Sequence, residues 1–326
     1  MSMTLTQPQA DWFAETFKKL VDTVGGVILG KDDIIALAFV TMLAEGHLLL
    51  EDAPGTGKTQ LAKTMAATVQ GTHHRIQFTP DLLPSDVTGV TVFDQQTQRF
   101  EFHKGPIFAS IVLADEINRA SPKTQSALLE VMEEGRVTVE GTSHDVGRPF
   151  MVIATQNPVE QAGTYRLPEA QLDRFLMKTS IGYPGIEQTI DILAGAANRN
   201  ASGGITPVIT TGAIAEMIDL AGTVHVAPAV LQYIAQLAEH TRSSKDARLG
   251  VSVRGAMALT RAVKARAASR GRNYVLPDDV EALALPVWAH RVVLAPEAEF
   301  NGVRGEDVIQ KAISEISAPQ DREVAV

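Results

Sequence analysis

A glycine-rich segment, Asp52 to Thr59, constrains the fold of this chain more than any other feature of its sequence. It follows a short apolar run, His47 to Leu50, and precedes a stretch from Thr59 to Val69 whose apolar residues recur with helical spacing. A strand, a glycine loop and a helix in this order are typical of a phosphate-binding loop. Its glycines let backbone N–H groups face an anion, and the helix N-terminus adds positive potential. We therefore expect a triphosphate site in an α/β fold.

The side chains of this loop have separate predicted roles. Lys58 is expected to reach the terminal phosphates, and the Thr59 hydroxyl to ligate Mg²⁺. The first position, which is usually glycine, is Asp52, and its carboxylate should point away from the phosphates. The residues predicted to contact the nucleotide here are Pro54, Gly55, Thr56, Gly57, Lys58, Thr59 and Gln60.

Two acids follow the most apolar strand signal, Ser110 to Ala114. Asp115 is expected to hold Mg²⁺ through its waters, and Glu116 to polarise the attacking water. Adjacent acids alone would indicate a solvated strand end. Together with the glycine loop they predict a hydrolytic site whose cofactors are ATP and Mg²⁺.

Phosphoryl transfer also needs a polar group that orients water and a cation that meets the developing charge. Asn157, which closely follows the apolar strand Met151 to Ala154, suits the first role. Arg174, just before a fifth strand signal at 178–183, and Arg254, in the first turn of a later helix, suit the second. Because surface ion pairing is the ordinary role of an arginine, that alternative stays open for both.

The chain divides into two parts with different patterns. Residues 1–185 alternate helical and extended signals, which predicts a central, mainly parallel sheet of five strands flanked by helices. Two stretches, Thr91 to Phe102 and Arg136 to Phe150, interrupt the alternation and predict hairpins. Residues 186–326 show only helical signals. We expect a nucleotide-binding core with an N-terminal helix at 1–185 and an all-α lid domain at 186–326.

Composition excludes several classes of protein. The 326 residues include no cysteine, which removes disulfides and thiolate metal sites. No apolar run approaches the ~20 residues of a membrane span, and Met1 to Ala10 lacks the pattern of a secretion signal. The net charge of -9 disfavours a general nucleic-acid binder, although Arg242 to Arg272 is locally basic. We expect a cytoplasmic protein that does not insert into membranes, and no nucleic acid as partner.

With these motifs, the chain resembles the MoxR family of AAA+ ATPases. The resemblance rests on LLEDAPGTGKT at 49–59, ADEINRA at 114–120, ATQNP at 154–158 and LPEAQLDRF at 167–175. It implies a P-loop core followed by a lid, in a ring that is commonly hexameric and binds ATP between subunits. In that arrangement Arg174 resembles the finger of the next subunit's site, Asn157 sensor 1, and Arg254 sensor 2, acting in its own site or a neighbour's. Arg166 is a second candidate interface arginine.

The resemblance also implies a chaperone-like role. Similar proteins remodel or mature a client, often with a partner that carries a von Willebrand A domain, and their two hairpins face the ring pore or the substrate. Two alternatives remain: a metal-chelatase-type ATPase subunit or nucleic-acid-stimulated motor, and a nucleotide-gated scaffold with little turnover. Glu116, Asn157 and Arg174 argue against the scaffold, which would not need them.

Overall fold

A computed structural model describes residues 4–53, 55–157, 164–165, 167–197 and 205–320, without the side chains of 195–197. Its first part alternates strands and helices as the sequence predicts. These elements are α1 (Gln7–Gly25), α2 (Asp32–Leu43), β1 (Leu48–Glu51), α3 (Lys58–Thr68), β2 (His73–Gln77), α4 (Pro84–Thr88), β3 (Gly89–Asp94), β4 (Arg99–Lys104), β5 (Ile111–Asp115), α5 (Pro122–Glu134), β6 (Arg136–Val139), β7 (Thr142–Asp145), β8 (Met151–Gln156), α6 (Glu169–Leu172) and β9 (Met177–Thr179).

Five of these strands form one parallel sheet in the order β2-β5-β8-β1-β9, which confirms the predicted core. The central strands are buried on both faces, so they are almost entirely apolar. Since all five run the same way, their carboxyl ends lie at one edge of the sheet and their amino ends at the other. The fifth strand is shorter than predicted and begins one residue earlier.

The two predicted hairpins are also confirmed. Strands β3 and β4 pair antiparallel, and so do β6 and β7, each as a separate two-stranded ribbon outside the main sheet. The first ribbon exposes two aromatic side chains, Phe93 and Phe100, whose ring centroids lie 5.2 Å apart.

The second part is helical, as predicted, with one small addition. Helix α10 lies at its centre and contacts other lid helices as well as α1 and α2 of the first part. A short antiparallel pair, β10 with β11, was not predicted. The elements are α7 (Ile186–Ala197), α8 (Thr211–Gly222), α9 (Pro228–Ser243), β10 (Ala247–Leu249), α10 (Val253–Ser269), α11 (Pro277–Trp288), β11 (Val293–Leu294), α12 (Pro296–Phe300) and α13 (Gly305–Glu315).

One buried arginine joins the two parts. The Arg291 side chain is 3% exposed and donates to the Asp173 carboxylate at 2.7 Å. It also donates to the backbone carbonyls of Phe175, at 2.8 Å, and Leu176, at 3.2 Å. Burial lowers the pKa of Arg291, and the charge of Asp173 opposes that shift. The segment before β9 is therefore fixed to the lid by several bonds to one guanidinium.

The segment between β9 and α7 is irregular and contains residue 185, where the sequence places the domain boundary. That boundary stays a prediction. Within the described ranges, none of the helices combines the length and the apolar character that crossing a bilayer requires.

Candidate active site

The phosphate loop connects β1 to α3 at the carboxyl edge of the sheet. Gly55 and Gly57 have φ values of +83° and +90°, a left-handed conformation that favours glycine. A Cβ atom added at either residue would meet no atom within 4 Å, so both positions face open space. Helix α3 begins at Lys58, whose Nζ donates to the carbonyl of Asp52 at 3.1 Å. Pro54, also predicted to contact nucleotide, lies outside the described residues.

The Asp52 carboxylate points away from the loop, as the sequence predicted. It is 4% exposed and accepts hydrogen bonds from the Ser180 hydroxyl at 2.7 Å and from the backbone N–H groups of Ile181 and Gly182 at 2.7 and 2.9 Å. An acid at the usual glycine position thus links the phosphate loop to the chain that follows β9.

The two acids at the end of β5 have different partners. Asp115 accepts from the Thr155 hydroxyl at 2.6 Å, and its second oxygen pairs with Arg75 at 2.6 Å. Glu116 accepts from the Gln77 amide and the Arg119 guanidinium, each at 2.9 Å.

The backbone of Glu116 is unusual, because its φ of +57° is left-handed and rare for a residue with a side chain. Its N–H donates to the Thr155 hydroxyl at 2.9 Å, which ties this conformation to strand β8. Strained residues of this kind cluster at functional sites.

The predicted residues of the two motifs line one cavity of about 730 Å³, together with Asn157, which is 7% exposed. This volume lies within the range of small-molecule sites. The described members that the sequence predicted are Gly55, Thr56, Gly57, Lys58, Thr59, Gln60, Asp115, Glu116 and Asn157.

Neither candidate arginine lines that cavity. Arg174 and Arg254 line a different cavity of about 140 Å³, which shares no lining residue with the first. Glu133 contacts both of them: one carboxylate oxygen lies 3.0 Å from Arg174 Nη2 and the other 3.1 Å from Arg254 Nη1. Arg166 lies outside the described residues.

The second cavity lies at the amino edge of the sheet. Gly46 and His47, which precede β1, and Leu176, which precedes β9, line it. Helix α5 begins shortly after Glu116, and its 13 residues span about 20 Å before Glu133 is reached near its other end. Both arginines are therefore about one helix length from Asp115 and Glu116 of their own chain.

Comparison with known proteins identifies the family. A model described as "ATPase family associated with various cellular activities (AAA)" matches residues 47–177, and an "AAA lid domain" model matches residues 239–312. The chain is 37% identical to Chaperone MoxR1 of Mycobacterium tuberculosis over 319 residues, which cover 94% of this chain and 83% of that protein. The chain belongs to the MoxR family of AAA+ ATPases. As a member of this family it is an ATP hydrolase.

Other proteins are similar to this MoxR-family chain over nearly its whole length. Protein MoxR of Paracoccus denitrificans is 33% identical over 317 residues, 89% of this chain and 92% of that protein. Protein YeaC of Bacillus subtilis is 46% identical over 304 residues, 93% of this chain and 95% of that protein. A solved structure of a candidate ATPase from Cytophaga hutchinsonii has a TM-score of 0.90 at 36% identity and covers 96% of this chain and 98% of that chain.

The residues of this MoxR-family site fit a magnesium ion bound with nucleotide. Mg²⁺ prefers a few oxygen ligands and keeps several waters beside the substrate phosphates. Thr59, which carries a hydroxyl, and Asp115, which carries a carboxylate, line the same cavity. This cavity has room for both the ion and the nucleotide. The ion and Arg75 would share the Asp115 carboxylate.

Sequence reasoning missed four polar residues of this MoxR-family cavity, namely Arg75, Gln77, Thr79 and Arg119. A signal for the first two was present, because residues two apart on a strand point to the same face, and strand β2 ends beside Asp115. Arg119 lies in the ADEINRA motif, three residues after Glu116, on a 3-10 turn.

Proposed function

We propose that this chain acts in a ring, in which Arg174 and Arg254 of each subunit complete the ATP site of its neighbour. The observation that carries this proposal is the position of the two arginines at the amino edge of the sheet, in a cavity separate from their own phosphate loop. A single chain therefore presents half of a hydrolytic site at each edge. Such a head-to-tail interface forms a ring when the rotation between neighbouring subunits closes on the first subunit.

Each residue of the site has a separate role in the proposed hydrolysis of ATP. Main-chain amides of the loop and Lys58 hold the β- and γ-phosphates of ATP. Thr59 and Asp115 would hold Mg²⁺, which would supply neutralisation of the phosphate charge. Glu116, with Asn157 nearby, orients a water that attacks the γ-phosphorus, and the bond from that phosphorus to the bridging oxygen of ADP breaks. The neighbour's arginines stabilise the negative charge that grows on the transferred group.

We further propose that hydrolysis drives remodelling or maturation of a client protein in the cytoplasm, with a partner that carries a von Willebrand A domain. The similarity to Chaperone MoxR1 supports a chaperone-like role. The exposed Phe93 and Phe100 of the β3–β4 ribbon offer an apolar contact for a client.

Mixing two inactive variants tests the ring arrangement. Lys58→Ala subunits lose their own site but keep the arginines, whereas Arg174→Ala subunits keep their site but lose the finger. Each alone should be nearly inactive, since a finger contributes about 10³ to 10⁵ in rate. The mixture should recover measurable phosphate release. No recovery from variants that still assemble would refute shared sites.

The client is best sought with Glu116→Gln, which should hold ATP and remain bound to its target. Capture of one protein only in the presence of ATP would support remodelling. A wild-type chain that binds ATP but releases almost no phosphate at any protein concentration would instead indicate a nucleotide-gated scaffold.

A further inference from the structure

The arginine cavity contains a chain of five alternating charges. Arg174 contacts Glu133, Glu133 contacts Arg254, Arg254 contacts Asp173 at 3.5 Å, and Asp173 contacts Arg291 at 2.7 Å. The two acids and Arg174 belong to the first part of the molecule, whereas Arg254 and Arg291 belong to the lid. The chain of charges therefore crosses the joint between the two parts.

Glu133 has a particular place in this chain, because it is the acid that touches both arginines. Its two oxygens are divided between them, one to each guanidinium. Two positive groups so close together repel each other, and a shared carboxylate offsets that repulsion. The Arg174 side chain is 28% exposed, whereas Arg254 and Glu133 are more open at 51% and 39%, so solvent screens these ion pairs in part.

The contact leaves donors on both arginines. Arg174 uses Nη2 toward Glu133, and Arg254 uses Nη1 toward Glu133 and Nε toward Asp173. Among the ion pairs of the described residues, none uses Nε or Nη1 of Arg174 or Nη2 of Arg254. A guanidinium carries five N–H donors, so both can bind a phosphate oxygen while Glu133 holds them.

We propose that Glu133 is a positioning residue that holds Arg174 and Arg254 side by side, so that they act together on the nucleotide of the neighbouring subunit. This rests on the shared-site function proposed above. Glu133 lines a different cavity from the phosphate loop, Asp115 and Glu116 of its own chain. Glu133 acts through the two arginines. Its loss should therefore lower activity only at the ATP site of the neighbouring subunit, to which those arginines contribute.

The mixing assay tests this assignment because it separates the two roles of a subunit. Glu133→Gln is placed first in the Lys58→Ala subunits, which lend arginines, and then in the Arg174→Ala subunits, which bind the nucleotide. Glutamine keeps the size of the side chain but removes its charge. We expect recovered phosphate release to fall by about tenfold in the first mixture, since misplaced catalytic groups lose much of their effect. The second mixture should keep the full recovery.

The matched control is Glu134→Gln in the arginine-lending subunits, since Glu134 is the next residue of the same helix and is exposed. It should leave recovery unchanged. Affinity of the Glu133→Gln chain for a fluorescent ATP analogue should also be unchanged, because its own phosphate loop lies at the opposite edge of the sheet. Size-exclusion chromatography checks that every mixture assembles.

The outcomes distinguish a failure of the role assigned to Glu133 from a failure of the shared-site function on which that role rests. No recovery in the parent mixture would refute the shared site and Glu133's role together. Recovery that Glu133→Gln leaves intact in both placements would refute the role of Glu133 alone. An equal loss in both placements would also refute it, since that result would indicate a general structural defect.

Discussion

The two acids proposed to act in hydrolysis lie side by side in the chain and have separate cationic partners. Arg75 pairs with Asp115, and Arg119 pairs with Glu116. Gln77 links the two pairs, because its amide oxygen accepts from Arg75 at 2.7 Å and its amide N–H donates to Glu116. These contacts assign each acid a fixed orientation, so the magnesium and water-activating roles can be tested one residue at a time.

Lys58 and Glu116 have different proposed roles, so one variant should lose nucleotide binding and the other should lose turnover. Lys58→Ala should abolish binding of a fluorescent ATP analogue, because it removes the ammonium proposed to reach the terminal phosphates. Glu116→Gln should keep binding and lose turnover by roughly 100-fold or more, since the amide is a poor base. Equilibrium titration and phosphate release measure the two effects. Equal hydrolysis by Glu116→Gln and wild type would remove Glu116 from the mechanism.

Arg75 should compete with Mg²⁺ for the Asp115 carboxylate. Removing its charge with Arg75→Gln is worth about 1 kcal/mol for a partly exposed pair, so magnesium should bind the nucleotide complex about fivefold more tightly. A magnesium titration followed by nucleotide fluorescence measures this directly. Arg99→Gln, on the exposed β4 strand, is the control and should change nothing. A higher magnesium requirement in Arg75→Gln would show that Arg75 supports the phosphates instead.

At the scale of elements, the sequence predicted what local signals specify. Helix α5 has a serine cap at Ser121, proline at its first position and a left-handed Gly135 at its end, all visible in the sequence. Strands β10 and β11 have three and two residues, too few for any alternation to be recognised. They pair across a long stretch of chain that includes α10 and α11.

The arginine cavity was beyond sequence reasoning for a related reason. The residues Arg174 and Arg254 were both identified as candidates, but their common partner Glu133 was not. Nothing near Glu133 in the sequence distinguishes it from an exposed acid at the end of a helix. Its role depends on how the lid packs on the core, which is fixed by contacts such as Arg291 with Asp173.

The helix that carries Arg254 has a cap that can be tested at one position. Ser252 accepts a hydrogen bond from the N–H of Gly255 at 3.0 Å. Ser252→Ala should lower the free energy of unfolding by about 1 kcal/mol, whereas Ser252→Asp should retain it, because a carboxylate also caps and favours the positive helix end. Denaturant unfolding at neutral pH compares the two. Equal stability of the alanine and aspartate forms would contradict a capping role.

At the scale of the whole molecule, the lid is part of the core packing. One continuous apolar cluster includes Phe13 of α1, Phe39 of α2 and Trp288 of the lid, each 0% exposed. The Trp288 indole donates to the Gly255 carbonyl at 2.8 Å, next to Arg254. Arg254 is therefore carried by a lid that cannot separate from the core, which carries Arg174, without exposing this cluster to water.

Buried histidines predict how the whole molecule responds to acid. His47 precedes β1, and its Nδ1 accepts from the Val152 N–H at 3.0 Å, so Nε2 carries the proton and donates to Met132 O at 2.9 Å. Burial lowers the pKa of His47 to about 4. Burial also lowers the pKa of His290, at the joint between core and lid, well below its ordinary value. Both rings are therefore neutral in the folded protein.

Between pH 6.5 and 4 the unfolded chain binds more protons at these histidines than the folded one, so stability should fall as the pH drops through that range. The pKa shift of His47 alone corresponds to ~3 kcal/mol lost by pH 4. Denaturant unfolding measured at steps from pH 7.5 to 5 should show this slope. His47→Gln should be less stable at pH 7.5 yet lose less on acidification, because one of the two buried titrating groups is gone. His103→Gln, on an exposed strand, should follow the wild-type slope, and an unaltered slope in His47→Gln would exclude His47 as a source of the acid sensitivity.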